Sequence, residues 1–128
     1  MKKILIVNSY YYKDISNNLV FYAKKRLLDV KFKLSIINIQ GAFEIPITIR
    51  KNINKFDGFI ALGCVIKGQT PHFDFISKST TDALMTLSIT SKKPVGNGVI
   101  TCLNKKQAYA RDNKGAEAAE AVLAVLFQ

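Results

Sequence analysis

Residues Gly58 to Ile66 read GFIALGCVI, nine positions with apolar side chains almost throughout and no charge. A strand with one wet face alternates apolar and polar residues. An unbroken apolar run of strand length, rich in branched side chains, belongs instead to a parallel strand covered on both faces. This run is the expected centre of the sheet. On its N-terminal side, Lys3 to Asn8 (KILIVN) and Leu34 to Ile39 (LSIINI) are two further strands. Between them Ile15, Leu19, Ala23 and Leu27 recur every four residues, the spacing of a helix over 15–29. Gly41-Ala42-Phe43-Glu44-Ile45-Pro46 follows the second strand, with glycine free in its dihedrals and proline suited to a first helical turn, so a helix is expected to about Asn54.

On the C-terminal side, Thr70 is placed as an N-cap and Pro71 as the first residue of a helix carrying Phe73, Ile76, Ala83, Leu84 and Leu87. Val95 to Thr101 (VGNGVIT) is a fourth strand, and Lys114 to Phe127 is an alanine-rich helix. The segment before that helix reads as polar loop. Strand and helix alternate throughout, which predicts an α/β fold in three α/β/α layers, a parallel sheet with helices on both faces. At 128 residues and 48% apolar content the chain fits one domain, 1–128. The last helix has Ala116, Ala119, Val122, Leu123 and Leu126 on one side and Ala118, Ala121, Val125 and Phe127 on much of the rest. It reads either as buried on two sides, against a second subunit, or simply as a strong helix former.

Composition narrows the class further. The opening MKKILIVNSYYY has four apolar residues after its lysines, shorter than a signal-peptide core, and no run is long enough to span a membrane. A cytoplasmic location is expected, with no membrane partner. Cys64 and Cys102 with a single histidine make no metal-binding spacing, so no metal site is expected. They read as reduced thiols, a disulfide being the alternative. Net charge is +10 and the sequence pI about 9.7, an electrostatic footprint shared with nucleic-acid binders. All but three of the 19 basic residues (Arg26, Arg50, Arg111) are lysine, however, and along the sequence the lysines are scattered in ones and twos. A solvated basic surface with no nucleic-acid partner is the expectation.

Ligands of open parallel sheets bind beyond the carboxyl ends of the strands. After the first strand, Tyr10, Tyr11 and Tyr12 offer rings that can stack on a heterocycle or pack on a core edge. After the third, Gly68, Gln69 and Thr70 lead into a helix start, whose free N–H groups and dipole suit an anion such as phosphate. His72 lies one residue inside that helix. It is either a packing residue or, as a neutral imidazole, a group that accepts and returns a proton. Arg111 is a candidate bidentate phosphate partner or an ordinary surface arginine.

Four segments, GAFEIP (Gly41 to Pro46), ALGCVIKGQTPHFDFIS (Ala61 to Ser77), PVGNGVIT (Pro94 to Thr101) and NKGAEAAEAV (Asn113 to Val122), together resemble the lumazine synthase family along nearly the whole chain. The resemblance implies a four-stranded parallel sheet of flavodoxin-like arrangement and homopentamers, or multiples of them, with sites at subunit interfaces. It also implies condensation of two small molecules, 5-amino-6-(D-ribitylamino)uracil and 3,4-dihydroxy-2-butanone 4-phosphate, to 6,7-dimethyl-8-ribityllumazine in riboflavin biosynthesis, with no metal or organic cofactor. By the same resemblance Tyr11 takes the place of the aromatic on the pyrimidine, and Ala42, Phe43 and Glu44 hold the ribityl chain and ring edge. Cys64, Val65 and Ile66 match the stretch whose backbone reads the uracil. Gln69 and Thr70 match the phosphate loop, His72 the proton-transfer residue, and Arg111 the phosphate arginine from an adjacent subunit. Lys114 and Glu117 match positions near the pyrimidine and the histidine. Asn97 stands where many members carry phenylalanine, so an amide hydrogen bond replaces stacking there. Competing readings are a noncatalytic flavin- or lumazine-binding module on the same fold and the fold-related type of riboflavin synthase.

Overall fold

The computed structural model describes all 128 residues. Four strands, β1 (Lys3–Ser9), β2 (Lys33–Ile39), β3 (Gly58–Ile66) and β4 (Val95–Cys102), form one parallel sheet in the order β2-β1-β3-β4. Helix α1 (Lys13–Leu27) joins β1 to β2, and α2 (Ile45–Lys51), entered through a 3-10 turn at Ala42–Glu44, leads to β3. Helix α3 (His72–Ser91) leads to β4, and α4 (Lys105–Ala110) and α5 (Lys114–Leu126) close the chain.

Alternation along the strands divides the core in two. Ile4 and Ile6 of β1 and Ile60, Leu62 and Cys64 of β3 face α1 and α5, while Leu5, Val7, Phe59 and Ala61 face α2 and α3. Both faces of β3 are thereby covered from Gly58 to Cys64, as its unbroken apolar run requires. The path turns back on itself after β2, crossing over β1 to reach β3. With crossover handedness fixed, that reversal moves α2 and α3 to the face opposite α1. It also opens a crevice between the carboxyl ends of β1 and β3, the switch point at which such sheets hold ligands.

Two sequence expectations change. Helix α3 starts at His72, with Pro71 in the N-cap position, and Thr70 Oγ1 accepts only a long 3.4 Å bond from His72 N. Proline has the φ needed there and thus takes the place expected of threonine. The polar segment before the last helix is itself partly helical: Asn104 Oδ1 accepts from Gln107 N at 2.9 Å, and Gln107 Oε1 accepts from Leu103 N at 2.8 Å. These two bonds start α4. Helix α5 buries one face within the chain, through Gly115, Ala118, Ala119, Val122 and Leu123, while Val125 and Phe127 are about half exposed.

The closeness of α5 to its neighbours rests on glycines. A Cβ on Gly115 would lie 2.0 Å from the Leu19 carbonyl oxygen of α1, and one on Gly96 of β4 would lie 2.2 Å from the Ala118 carbonyl oxygen. Gly115→Ala gains at most about 1 kcal/mol of helix propensity, whereas a methyl forced against backbone costs about 1–3 kcal/mol. The expected net result is a lower urea midpoint with unchanged slope. Gly68→Ala, whose Cβ meets nothing within 4 Å, is expected to leave the midpoint in place.

Candidate functional site

The crevice at the switch point is a cleft of about 560 Å³. The chain after β1 contributes Tyr11 and Tyr12, and the turn after β2 contributes Gly41, Ala42, Phe43 and Glu44. Cys64, Val65 and Ile66 end β3 on its floor, and His72 and Ile76 close it from the first turns of α3. Eight residues singled out in the sequence thus meet in one place: Tyr11, Ala42, Phe43, Glu44, Cys64, Val65, Ile66 and His72. Tyr12, named beside Tyr11 as a ring able to stack, joins them, as do Gly41 and Ile76. Their signals were present: Ile76 is one turn beyond His72, and Tyr12 is half-buried edge-on to Tyr11, with ring centres 5.0 Å apart. Gly41 matters because Glu44 folds back over it, its Oε1 only 2.9 Å from where a Cβ would stand.

The lining is mostly apolar, with the rings of Tyr11, Tyr12 and Phe43 able to stack on a planar group, and the polar groups are few. Glu44 and His72 are exposed at the rim. Beside them the backbone N–H groups of Gly68, Gln69 and Thr70 carry no hydrogen bond within the chain. Helix α3, 20 residues long, directs its positive end at this loop. A doubly charged phosphate there would meet both the free amides and the dipole. Gln69 and Thr70 themselves are exposed and lie beyond the cleft walls.

Asn97, Arg111, Lys114 and Glu117 lie elsewhere. They line a second cleft of about 560 Å³ between β4, α3 and the start of α5, together with Thr81 and Thr101. Arg111 Nη1 donates to the Thr101 carbonyl at 3.0 Å, and the Asn97 side-chain oxygen accepts from Val99 N at 3.0 Å. Lys114 and Glu117 form a 3.8 Å ion pair between exposed side chains. Within one chain Glu117 thus lines a different cleft from His72, paired with Lys114 of its own helix at i,i+3 spacing. Nor does Arg111 share the cleft of His72.

Cys64 is buried, and removal from water pushes its thiol up to about 12, with the neighbouring Cys102 adding to the shift. Both cysteines are free. The phenol of Tyr12 is also raised, chiefly by burial and then by Tyr11 and Cys64. The cleft floor is thus uncharged at neutral pH, and Cys64 contributes shape there rather than a nucleophile.

Fold and cleft together define a doubly wound α/β protein with an open cleft at its strand-end switch point. The family model for 6,7-dimethyl-8-ribityllumazine synthase matches residues 1–128. A 6,7-dimethyl-8-ribityllumazine synthase of Bartonella bacilliformis is 39% identical over 132 residues, covering 96% of this chain and 87% of the relative. One of Agrobacterium fabrum is 37% identical over 135 residues, with 96% and 91% covered, and one of Corynebacterium kroppenstedtii 37% over 123, with 91% and 77% covered. The chain belongs to the lumazine synthase family, transferases of riboflavin biosynthesis.

Because the Cys64 value is raised on folding, the protonated thiol contributes stability that is complete below pH about 9 and is lost as pH rises toward about 12. In a Cys102→Ala variant, where labelling reads Cys64 alone, labelling of the native protein is expected to climb without a plateau up to pH 10, while the urea-unfolded chain shows an inflection at about 8.5. A native inflection near 8.5 would contradict the buried, neutral thiol.

Proposed function

We propose that the chain condenses 5-amino-6-(D-ribitylamino)uracil with 3,4-dihydroxy-2-butanone 4-phosphate to 6,7-dimethyl-8-ribityllumazine. The observation that carries this reading is the placing of His72 between a mostly apolar cleft and three unpartnered loop amides at a helix start. The pyrimidine occupies the cleft between Tyr11 and the Phe43 side, with the backbone of Cys64, Val65 and Ile66 reading its edge and Ala42 and Glu44 facing the ribityl chain. The phosphate sits on the Gln69–Thr70 loop.

The 5-amino group attacks the ketone and water leaves, giving an imine. A proton is removed from the adjacent carbon and phosphate departs by β-elimination. The resulting enol returns to a ketone, and the ribitylamino nitrogen attacks it, closing the ring with loss of a second water. His72 stands where it can take up and return these protons. Holding two substrates in reacting geometry contributes on the order of 7–11 kcal/mol, whereas a positioned proton carrier contributes about 10²–10⁴-fold. His72→Ala is therefore expected to slow turnover within that range without abolishing it. Complete loss in a folded variant that still binds the pyrimidine would contradict the assignment.

The split between the two clefts supports a site completed across subunits. Asn97, Arg111, Lys114 and Glu117 of one subunit would face the His72 cleft of the next, so Arg111 reaches the phosphate, Asn97 and Lys114 the pyrimidine, and Glu117 the imidazole. The assembly that closes such a head-to-tail contact is a ring, here a homopentamer or a multiple of it, formed by the single domain 1–128 in the cytoplasm. Uncovered apolar side chains on α3 (Phe75, Met85, Ile89) and α5 (Val125) fit burial in that ring. Subunit mixing tests this. His72→Ala and Arg111→Ala chains, each impaired alone, are co-refolded; roughly a quarter of the sites then pair an intact His72 with an intact Arg111. Activity is expected to rise above the mean of the two parents. A strictly averaged activity would mean that both residues of a site come from one chain.

A further inference from the structure

The scattered lysines of the sequence are not scattered in space. Parallel strands all begin at one end of the sheet, and there β1 is entered through Lys2 and Lys3 and β2 through Lys31 and Lys33. The helices that run back to this end finish in cations: Lys24, Lys25 and Arg26 on α1, Arg50 and Lys51 on α2. Lys55 precedes β3, and Lys92 and Lys93 precede β4. Twelve of the 19 basic residues therefore occupy the end opposite the candidate site. The acids at this end are few. Asp57 accepts from the backbone N–H of Lys3, Glu120 of α5 is taken by Arg26, and Asp29 remains.

Local reasons account for part of this. Cations in a last helical turn complement the helix dipole, and Lys93 Nζ donates to the Ile53 carbonyl at 2.6 Å. Lys3, Lys33 and Lys55 have no such partner. Lys3 and Lys33 are paired in register on adjacent strands, an arrangement that costs energy for like charges, and no carboxylate forms an ion pair with either or with Lys55. The three line a polar recess of about 520 Å³ with Ser35, Asn52 and the half-buried Phe56.

We propose that this recess and the basic face around it bind the phosphate backbone of a single-stranded nucleic acid without reading its sequence. Ten of the twelve cations are lysine, a point charge suited to phosphate, and of the two arginines Arg26 is taken by Glu120. Serine and asparagine add neutral contacts to phosphate oxygens, and the ring of Phe56 offers one stacking surface. The recess is concave and polar, which fits a strand lying across it better than a flat lipid surface. Recruitment to RNA would leave the opposite, strand-end cleft free.

The test is fluorescence anisotropy of a labelled oligouridylate titrated with the wild-type protein across a range of KCl. It is repeated with Lys3→Gln/Lys33→Gln/Lys55→Gln and, as a charge-matched control, Lys13→Gln/Lys105→Gln/Lys106→Gln. Binding is expected to fall steeply with salt. The first variant loses about tenfold or more in affinity, with a log–log salt slope shallower by about 2, as three lost single-strand phosphate contacts require. The control loses much less, and lumazine formation is unchanged in both. No binding by wild type at low salt, equal losses in the two variants, or binding to phosphatidylserine vesicles in place of the oligonucleotide would each overturn the proposal.

Discussion

Helix α5 lies nearer to its neighbours than side chains would ordinarily allow, and much of the molecule depends on that approach. Gly115 lets its first turn rest on the backbone of α1 at Leu19, while Gly96 and Gly98 give up side chains on β4 so that Ala118 can sit against the sheet. In return Ala118, Ala119, Val122 and Leu123 complete the larger core cluster. The same docking fixes Lys114 and Glu117 at the rim of the second cleft, beside Arg111 and Asn97. Helix packing and site geometry are here one constraint: a shift of α5 along α1 would move both charged side chains.

Sheet topology supplies the complementary constraint. Because β1 and β3 are neighbours although β2 lies between them in sequence, the loops after β1, β2 and β3 gather around one crevice. Residues as far apart as Tyr11, Phe43 and His72 meet there for no reason other than strand order. The chemistry available follows from what the loops carry. Apolar walls receive a ring, unpartnered amides await an anion, and a single imidazole stands between them. Buried Cys64 stays neutral under all of these and leaves the electrostatics of the crevice to the loop and the helix end.

Much of this was readable from the amino acids. The four strands and the major helices follow from runs such as GFIALGCVI and from the four-residue spacing of Ile15, Leu19, Ala23 and Leu27, and the strand-end rule points to the loops that form the cleft. Helix α4 was also legible in principle, since Asn104 and Gln107 stand three apart in a capping pattern, but its six residues show no apolar period. The distribution of charge was not legible. Lys3, Lys33 and Lys55 are separated by tens of residues, and only the strand register brings them together. Likewise, nothing in the spacing of His72 and Arg111 says that they line different clefts. Local pattern reports local structure; what crosses the sheet is set by topology.

The contact between α1 and α5 joins the beginning of the chain to its end, and this orders events during synthesis. The fully buried residues of the layer beneath α2 and α3 are all made by Leu84, before β4 begins, although Leu87, Val95 and Val99 still pack against it later. The layer beneath α1 cannot close until Leu123 has emerged, since Ala118, Ala119, Val122 and Leu123 form its cover. At about 5–20 residues per second, the apolar stripe of α1 spends seconds open to water or to chaperones while everything else it touches is already available. Closure of that layer therefore waits on α5, and a chain released short of it has one face of its sheet half covered.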